Sequence, residues 1–517
     1  MHSLALIGLV GCGLVANVIL SIYKHLSSPL RSIPGPFIAR FTNFWYLYQL
    51  RGGNFEVVNQ RLHEKYGPIV RYGPNRYSFA TLDAGKAIYG HGTSFPKSSW
   101  YNSWRDPGTG VWTLFTDRDV KRHAGNRRLF QNTYSMSSLV SYEPYVDECA
   151  DLFSTRLTEM AQDGVKVNMG HWLQCYAFDV IGSITYSKRL GFLDQGDDVG
   201  GVINALENFL GYATLTGVYA HLHPYLFALK NYMAGSKGAG RAYVQNFTKE
   251  CMVEHQTNPK ALSTNDKTDF DHDETEDVSG KATDFLTKFF SRHTRDPDTF
   301  TTYHIAVGCA QNMVAGSDTT AISLSAIVYY LLKNPSCLQK LRDEISELQA
   351  EGKASEKYVT FKESQEMPYL QATIKEALRL HPAAGLPLER VVPEGGATIS
   401  GRFFPEGSIV GINCWIEHRN SLIFGSDANE FRPERWLTED SEKLAFMNRH
   451  WMPFGLGSRT CIGRHISMLE ISKLIPRLVQ TFDFRLSGDL ARSDVSWSTD
   501  NYWFVKPKDF LVEAKLR

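Results

Sequence analysis

Cys461 sits in the stretch Phe454-Gly455-Leu456-Gly457-Ser458-Arg459-Thr460-Cys461-Ile462-Gly463. Glycines before and after the cysteine let the backbone turn tightly and approach a flat partner. An amphipathic run begins at Arg464, so the sulfur lies just ahead of a helix N-terminus. Unpaired N–H groups there stabilise a thiolate and are expected to lower its pKa. A thiolate so placed is a metal ligand; the other reading is a buried, inert cysteine in a glycine-rich turn. A second polar run, Ala315-Gly316-Ser317-Asp318-Thr319-Thr320, interrupts a long apolar stretch. Within a buried helix such groups cost stability unless they are satisfied or used. A threonine hydroxyl there can bond back to the carbonyl one turn earlier and loosen the ladder. A polar patch facing water is the alternative, opposed by the apolar flanks Ile305–Val307 and Ala321–Leu324. One helix face would carry Ala315, Asn312, Gln311 and Gly308, so that Asn312 and Gln311 are candidates for bonding a polar group of a substrate. Glu376 and Arg379, three apart, are close enough to pair, which by itself describes an ordinary surface ion pair.

These residues need a helical frame. Phe300–Lys333 is apolar and proline-free, stopping at Asn334-Pro335. Leu338–Leu348, Glu363–Leu380 and Arg464–Phe482 carry helical periodicity, whereas Ile69–Tyr72, Tyr77–Ala80, Ile409–Asn413 and Phe510–Ala514 read as short strands. The expected class is mostly α with small β-sheets. At 517 residues, 43% apolar and 21% charged, the chain suits one large enzyme domain. Its formal net charge of zero gives no electrostatic reason to expect nucleic acid. The 8 cysteines form no C-x-x-C pair, which argues against zinc ribbons and dithiol motifs, and the chain is too long for a disulfide-framework scaffold.

Leu4 to Tyr23 carries no formal charge and is long enough to span a bilayer at about 1.5 Å per residue. Lys24, Arg31 and Arg40 follow it, so the bulk of the chain is expected in the cytosol. A cleaved signal peptide would have a shorter apolar region. We therefore expect one N-terminal transmembrane helix within residues 1–28, a proline-rich hinge over 29–37 (Pro29, Pro34, Pro36), and a catalytic domain over 38–517. The acidic run Asn265–Asp277 reads as a solvated loop.

The cysteine stretch resembles the cytochrome P450 haem-ligand signature, Phe-x-x-Gly-x-Arg-x-Cys-x-Gly, at Phe454, Gly457, Arg459, Cys461 and Gly463. The resemblance implies the fold of that family, with haem b as cofactor, Cys461 as axial iron ligand and Phe454 near its sulfur. Ala315–Thr320 is similar to the family's oxygen-activation motif. That implies that Ala315 and Gly316 lie against the haem, that Thr319 hydrogen-bonds the dioxygen being activated, and that Asp318 relays protons. Glu376 and Arg379 become the Glu-x-x-Arg pair, joined by Arg435 from Phe431-Arg432-Pro433-Glu434-Arg435-Trp436 in a buried structural triad. Arg459, Arg390 and Arg127 match positions that contact haem propionates. His123 stands where the family usually has tryptophan, and an imidazole N–H can still donate to a carboxylate. Arg118, Lys121, Arg122 and Arg128 imply a docking face for an acidic flavoprotein donor. Aromatic residues in Phe95–Phe115, Leu206–Tyr232 and Tyr502–Phe504 fall, with Ala384–Leu388, where relatives place substrate loops.

By that resemblance the chain is expected to be an endoplasmic-reticulum monooxygenase, single-pass and facing the cytosol. It would insert one atom of O2 into a hydrophobic small molecule with electrons from NADPH-cytochrome P450 reductase. The later motifs most resemble filamentous-fungal enzymes of specialised metabolism. An isomerase or dehydratase that needs no external electrons, and a haem sensor or carrier without turnover, are the alternatives. An intact Asp318-Thr319 pair argues against both.

Overall fold

The longest apolar run becomes the longest helix. In the computed structural model it spans Thr302–Lys333, 32 residues, and ends ahead of Pro335. It starts two residues later than the sequence suggests, because Thr301 is its N-cap and donates its N–H to His304 Nδ1 at 3.1 Å. The structure describes residues 16, 19–108, 110, 112–234, 239–258, 283–355, 357–492 and 494–517. Most of Leu4–Tyr23 and all of Asn265–Asp277 lie outside them. Among the described residues no helix is long and apolar enough to cross a membrane.

Against the long helix pack Met169–Tyr186, Pro368–Leu380 and Arg464–Thr481, and Glu143–Gln162 packs on the first and last of these; all share the main hydrophobic core. The expected helix Glu363–Leu380 is two elements, Phe361–Gln365 and Pro368–Leu380. Pro368 lacks the N–H that a continuous helix needs and opens the second element at its first turn. Leu338–Leu348 extends to Pro335–Ala350, again with proline in the first turn. Arg464–Thr481 contains Pro476 and ends one residue before the expected Phe482.

The sheets are small. The largest has four strands in the order Ile69–Gly73, Arg76–Phe79, Ile409–Ile412, Arg390–Val391, with only the middle pair parallel. Its edge strand carries Arg390, and Glu389 pins that strand by accepting from Arg76, Tyr72 and Ser98. Leu511–Leu516 pairs with Phe482–Leu486. Thr499–Tyr502 and Phe504–Pro507 form a hairpin turning at Trp503. The architecture is mostly helical with small sheets.

Candidate active site

Two glycines shape the cysteine loop. At Gly457, φ is 65° and a Cβ would lie 1.8 Å from the Tyr89 carbonyl oxygen, so no other residue fits. Gly455 has φ 73°. The loop closes where the Cys461 N–H donates to the Phe454 carbonyl at 2.8 Å. Phe454 is half-buried, its ring edge-on to Trp451 at 5.9 Å. The sulfur faces the start of helix Arg464–Thr481, where the N–H groups of Gly463 and Arg464 point at it. Cys461 is surrounded by protein yet has exposed surface, so it lines an internal space.

The expected lowering of its pKa does not follow. Burial raises the thiol's pKa above its ordinary value, outweighing the two N–H groups and the nearby Arg127 and Arg464. Low polarity around a thiolate costs more than two backbone dipoles return. A cation on the sulfur would reverse the balance, since a coordinating thiol is deprotonated outright.

Thr320 donates to Ser467 at 3.2 Å, tying the polar turn of the long helix to the helix that follows Cys461. On the open face of that turn Val314 and Ala315 keep exposed surface although the helix runs through the core. Thr319 donates its hydroxyl to the Ala315 carbonyl at 2.8 Å, the back-bond its position suggests. At Gly316 a Cβ would meet Ile181 at 3.0 Å, so its smallness also serves the approach of helix Met169–Tyr186. Asn312 is not available to a substrate: it accepts from Tyr134 and donates to Thr185 at 3.2 Å. Asp318 is buried, with Oδ1 accepting from Gln174 and Oδ2 lying 3.0 Å from Lys506 Nζ.

Arg459, Arg390, Arg127 and His123 converge with a residue that no motif marks, Lys97. Lys97 bridges backbone-to-backbone with Arg390 and donates Nζ to the Phe115 carbonyl at 2.5 Å. Each of these groups feels the charge of another: Arg390 and Arg459 push the pKa of Lys97 down, as Arg459, Lys97 and Arg127 do that of His123, after burial in both cases. His123 is thereby held neutral, its pKa pushed down to about 3. Arg459, lowered to about 10 by burial and then by Arg390, donates Nη1 to the Asp117 carbonyl at 2.7 Å. Its Nη2 is buried without a partner among the described residues. The carboxylate of Asp117 is already bound by Arg122, at 2.7 and 2.8 Å. A buried surplus of cations beside an enclosed sulfur fits a flat, iron-bearing dianion such as haem. A lysine in Phe95-Pro96-Lys97 has no spacing signal, because its partner lies almost 300 residues away.

Glu376 and Arg379 are fully buried and bidentate at 2.8 Å on both sides. Arg435 Nε and Trp436 Nε1 each reach Glu376 at 2.9 Å, while Arg379 also donates to the carbonyls of His418, Ala428 and Glu430. Among the candidate substrate aromatics, Trp100, Tyr101, Trp104, Phe115 and Trp503 pack ring on ring at 5.0–6.0 Å. Trp112 instead stacks on the Arg122 guanidinium at 3.9 Å. Lys121, Arg122 and Arg128 are exposed on helix Val120–Phe130, with Arg118 half-buried beside it.

The family model for cytochrome P450 matches residues 34–507. Similar proteins include pisatin demethylase of Fusarium vanettenii, 37% identical over 98% of this chain and 94% of its own length. A cytochrome P450 monooxygenase of Aspergillus terreus is 37% identical over 90% of this chain and 93% of its own length. The monooxygenase cicH of Emericella nidulans is 36% identical over 94% of each.

Proposed function

The chain belongs to the cytochrome P450 family and is a haem-dependent monooxygenase; from that premise we propose that Cys461 is its iron ligand and that its substrate is a hydrophobic small molecule of specialised metabolism. One observation carries the ligand assignment: an enclosed sulfur under two backbone N–H groups, beside a buried cationic surplus.

When bound, the haem supplies the activation of dioxygen, and thiolate donation to its iron favours O–O cleavage. The residues around it hold and steer. Arg459 Nη2, Arg390, Arg127 and Lys97 would take the two propionates, with His123 donating a neutral N–H. Ala315, exposed on the polar turn of the long helix, would leave room beside the group. Because the Thr319 hydroxyl donates its hydrogen bond to the Ala315 carbonyl, its oxygen is free to accept one from a water. Asp318 stands next to it, held by Gln174 and Lys506, and would relay protons toward that water. The exposed Lys121, Arg122 and Arg128 suit an acidic NADPH-dependent reductase as electron donor. The uncharged run Leu4–Tyr23 supports an anchor in the endoplasmic reticulum, residues 38–517 facing the cytosol.

The test is the carbon monoxide complex of the reduced protein. It should show the red-shifted Soret band of thiolate-ligated haem, and Cys461→Ser should abolish it, since serine is not ionised at neutral pH. A thiolate spectrum surviving in Cys461→Ser would refute the ligand. NADPH-driven oxygen consumption with the reductase separates a monooxygenase from an isomerase or a carrier.

A further inference from the structure

Two cations of the cradle beside Cys461 hang from one short strap. Lys97 donates to the Phe115 carbonyl at 2.5 Å, and Arg459 to the Asp117 carbonyl at 2.7 Å. Residues 112–119 belong to no helix or strand, so no backbone ladder fixes those two carbonyls. We propose that Arg122 is a positioning residue for this cradle: by gripping the Asp117 side chain it sets the Asp117 carbonyl, and through it the aim of Arg459 at a haem propionate. This role is additional to the charge that Arg122 offers a reductase, and it rests on the propionate reading of Arg459.

Side chains hold the strap at three points. At its start the Tyr303 hydroxyl donates to the Trp112 carbonyl at 2.5 Å and accepts from the Trp112 N–H at 2.9 Å. In its middle the hydroxyls of Thr113 and Thr116 meet at 3.0 Å, each also accepting the other residue's N–H at 3.1 Å. At its end Arg122 donates Nε to Asp117 Oδ2 at 2.8 Å and Nη2 to Oδ1 at 2.7 Å. A bidentate fork fixes orientation as well as distance, which a single ammonium bond does not. The same guanidinium lies over the Trp112 ring at 3.9 Å, so it ties the end of the strap to its start.

An exposed ion pair contributes little, but this pair is exposed on one side only. The arginine side chain is 40% exposed and the Asp117 side chain 1%. Among the described residues the one other donor to that carboxylate is the Asp119 N–H, at 2.9 Å. Without the fork a nearly naked buried carboxylate would turn toward water. The carbonyl of the same residue turns with it, and Arg459 Nη2, buried without a partner among the described residues, loses its aim. Helix Val120–Phe130 carries His123 and Arg127 as well as Arg122. The fork thus holds the Arg459 side of the cradle in register with the helix that supplies its other side.

The test is the rate at which haem passes from the loaded protein to an acceptor protein, for wild type, Arg122→Lys, Arg459→Ala and the two combined. Arg122→Lys keeps the charge and the exposed position but not the fork. It should speed transfer about three- to fivefold with Arg459 present, and by less than about 1.5-fold where Arg459 is already alanine, because a residue acting through another adds nothing once that other is gone. Asp117→Asn should match Arg122→Lys, since an amide offers the fork one acceptor oxygen where the carboxylate offers two, and the pair together should transfer haem no faster than either alone. That second cycle keeps Arg459 in place and decides the matter if the Arg459→Ala double variant holds no haem. Additive acceleration in either cycle, or no acceleration by Arg122→Lys, overturns the proposal. If Arg459→Ala by itself transfers haem at the wild-type rate, it is the propionate reading of Arg459 that fails.

Discussion

Two of the charge clusters in this molecule, around Glu376 and around Arg459, are built on opposite principles. Around Glu376 every charged atom is used: Arg379, Arg435 and Trp436 saturate the carboxylate, and backbone carbonyls take what remains of the guanidinium donors. Around Arg459 the reverse holds. Cations from Lys97 to Arg459 crowd together, the Asp117 carboxylate is bound by Arg122, and an Arg459 nitrogen stays buried without a partner among the described residues. A saturated cluster has nothing left to offer a ligand and can only lock the loops it joins. An unsaturated one raises the free energy of the bare chain and returns it when an anion arrives. Burial alone does not separate architecture from site here, since Lys97, His123 and Arg390 are buried as Glu376, Arg379 and Arg435 are. Hydrogen-bond saturation does.

Removing one partner tests the saturated cluster most severely. Glu376→Gln strands two guanidinium groups in the core and should cost about 3–5 kcal/mol, a large part of a domain's stability. The check is the yield of folded, haem-bearing protein and its denaturant midpoint, and a near-wild-type midpoint would abolish the distinction between the clusters. Arg459→Ala should behave differently. The haem-free chain loses an unpaired buried charge and should be no less stable, whereas haem affinity should fall by about 10- to 100-fold, the worth of one charge-assisted hydrogen bond of about 1.5–3 kcal/mol. Haem transfer to an acceptor protein measures it. If stability fell and affinity did not, Arg459 would be part of the architecture.

What was legible in the sequence followed the same division. The cysteine loop, the polar turn around Thr319 and the Glu376–Arg379 pair each lie within ten residues, and the turn's back-bond to Ala315 appears where its spacing indicates. Helix existence was legible from periodicity, but the break at Pro368 was not, because apolar positions keep their phase across it. Contacts assembled across long separations left no local trace. Lys97 joins Arg390 by a single bridge, and Lys506 reaches Asp318 from a hairpin nearly 200 residues on. Asn312 lies on the candidate face in projection, yet Tyr134 and Thr185 already bond its side chain. Helical phase places a residue; only packing says whether its groups are spoken for.

The smallest effect compares one histidine from each cluster. His418 packs against the saturated cluster, Nδ1 donating to the Arg379 carbonyl at 3.0 Å and Nε2 accepting from the Met452 N–H at 2.8 Å. Its pKa is pushed down to about 3 by burial and then by Arg379, and that of His123 to about 3 by burial and then by Arg459. A histidine that must fold neutral stabilises the protein less as pH falls, because the unfolded chain binds the proton and the folded chain does not. The loss begins near the unfolded pKa of about 6.5 and continues down to the folded value. At pH 5.5 each should cost about 1.4 kcal/mol relative to pH 7.5, a figure insensitive to where below about 4.5 the folded pKa lies. His418→Gln should remove that acid-dependent loss from the denaturation midpoint of the haem-loaded enzyme, because Arg379 faces His418 whether or not haem is bound. His123→Gln should remove less of it, since propionates beside the imidazole favour its charged form and lift its folded pKa toward the ordinary value. Equal changes in the two variants would mean that His123 does not face the propionates.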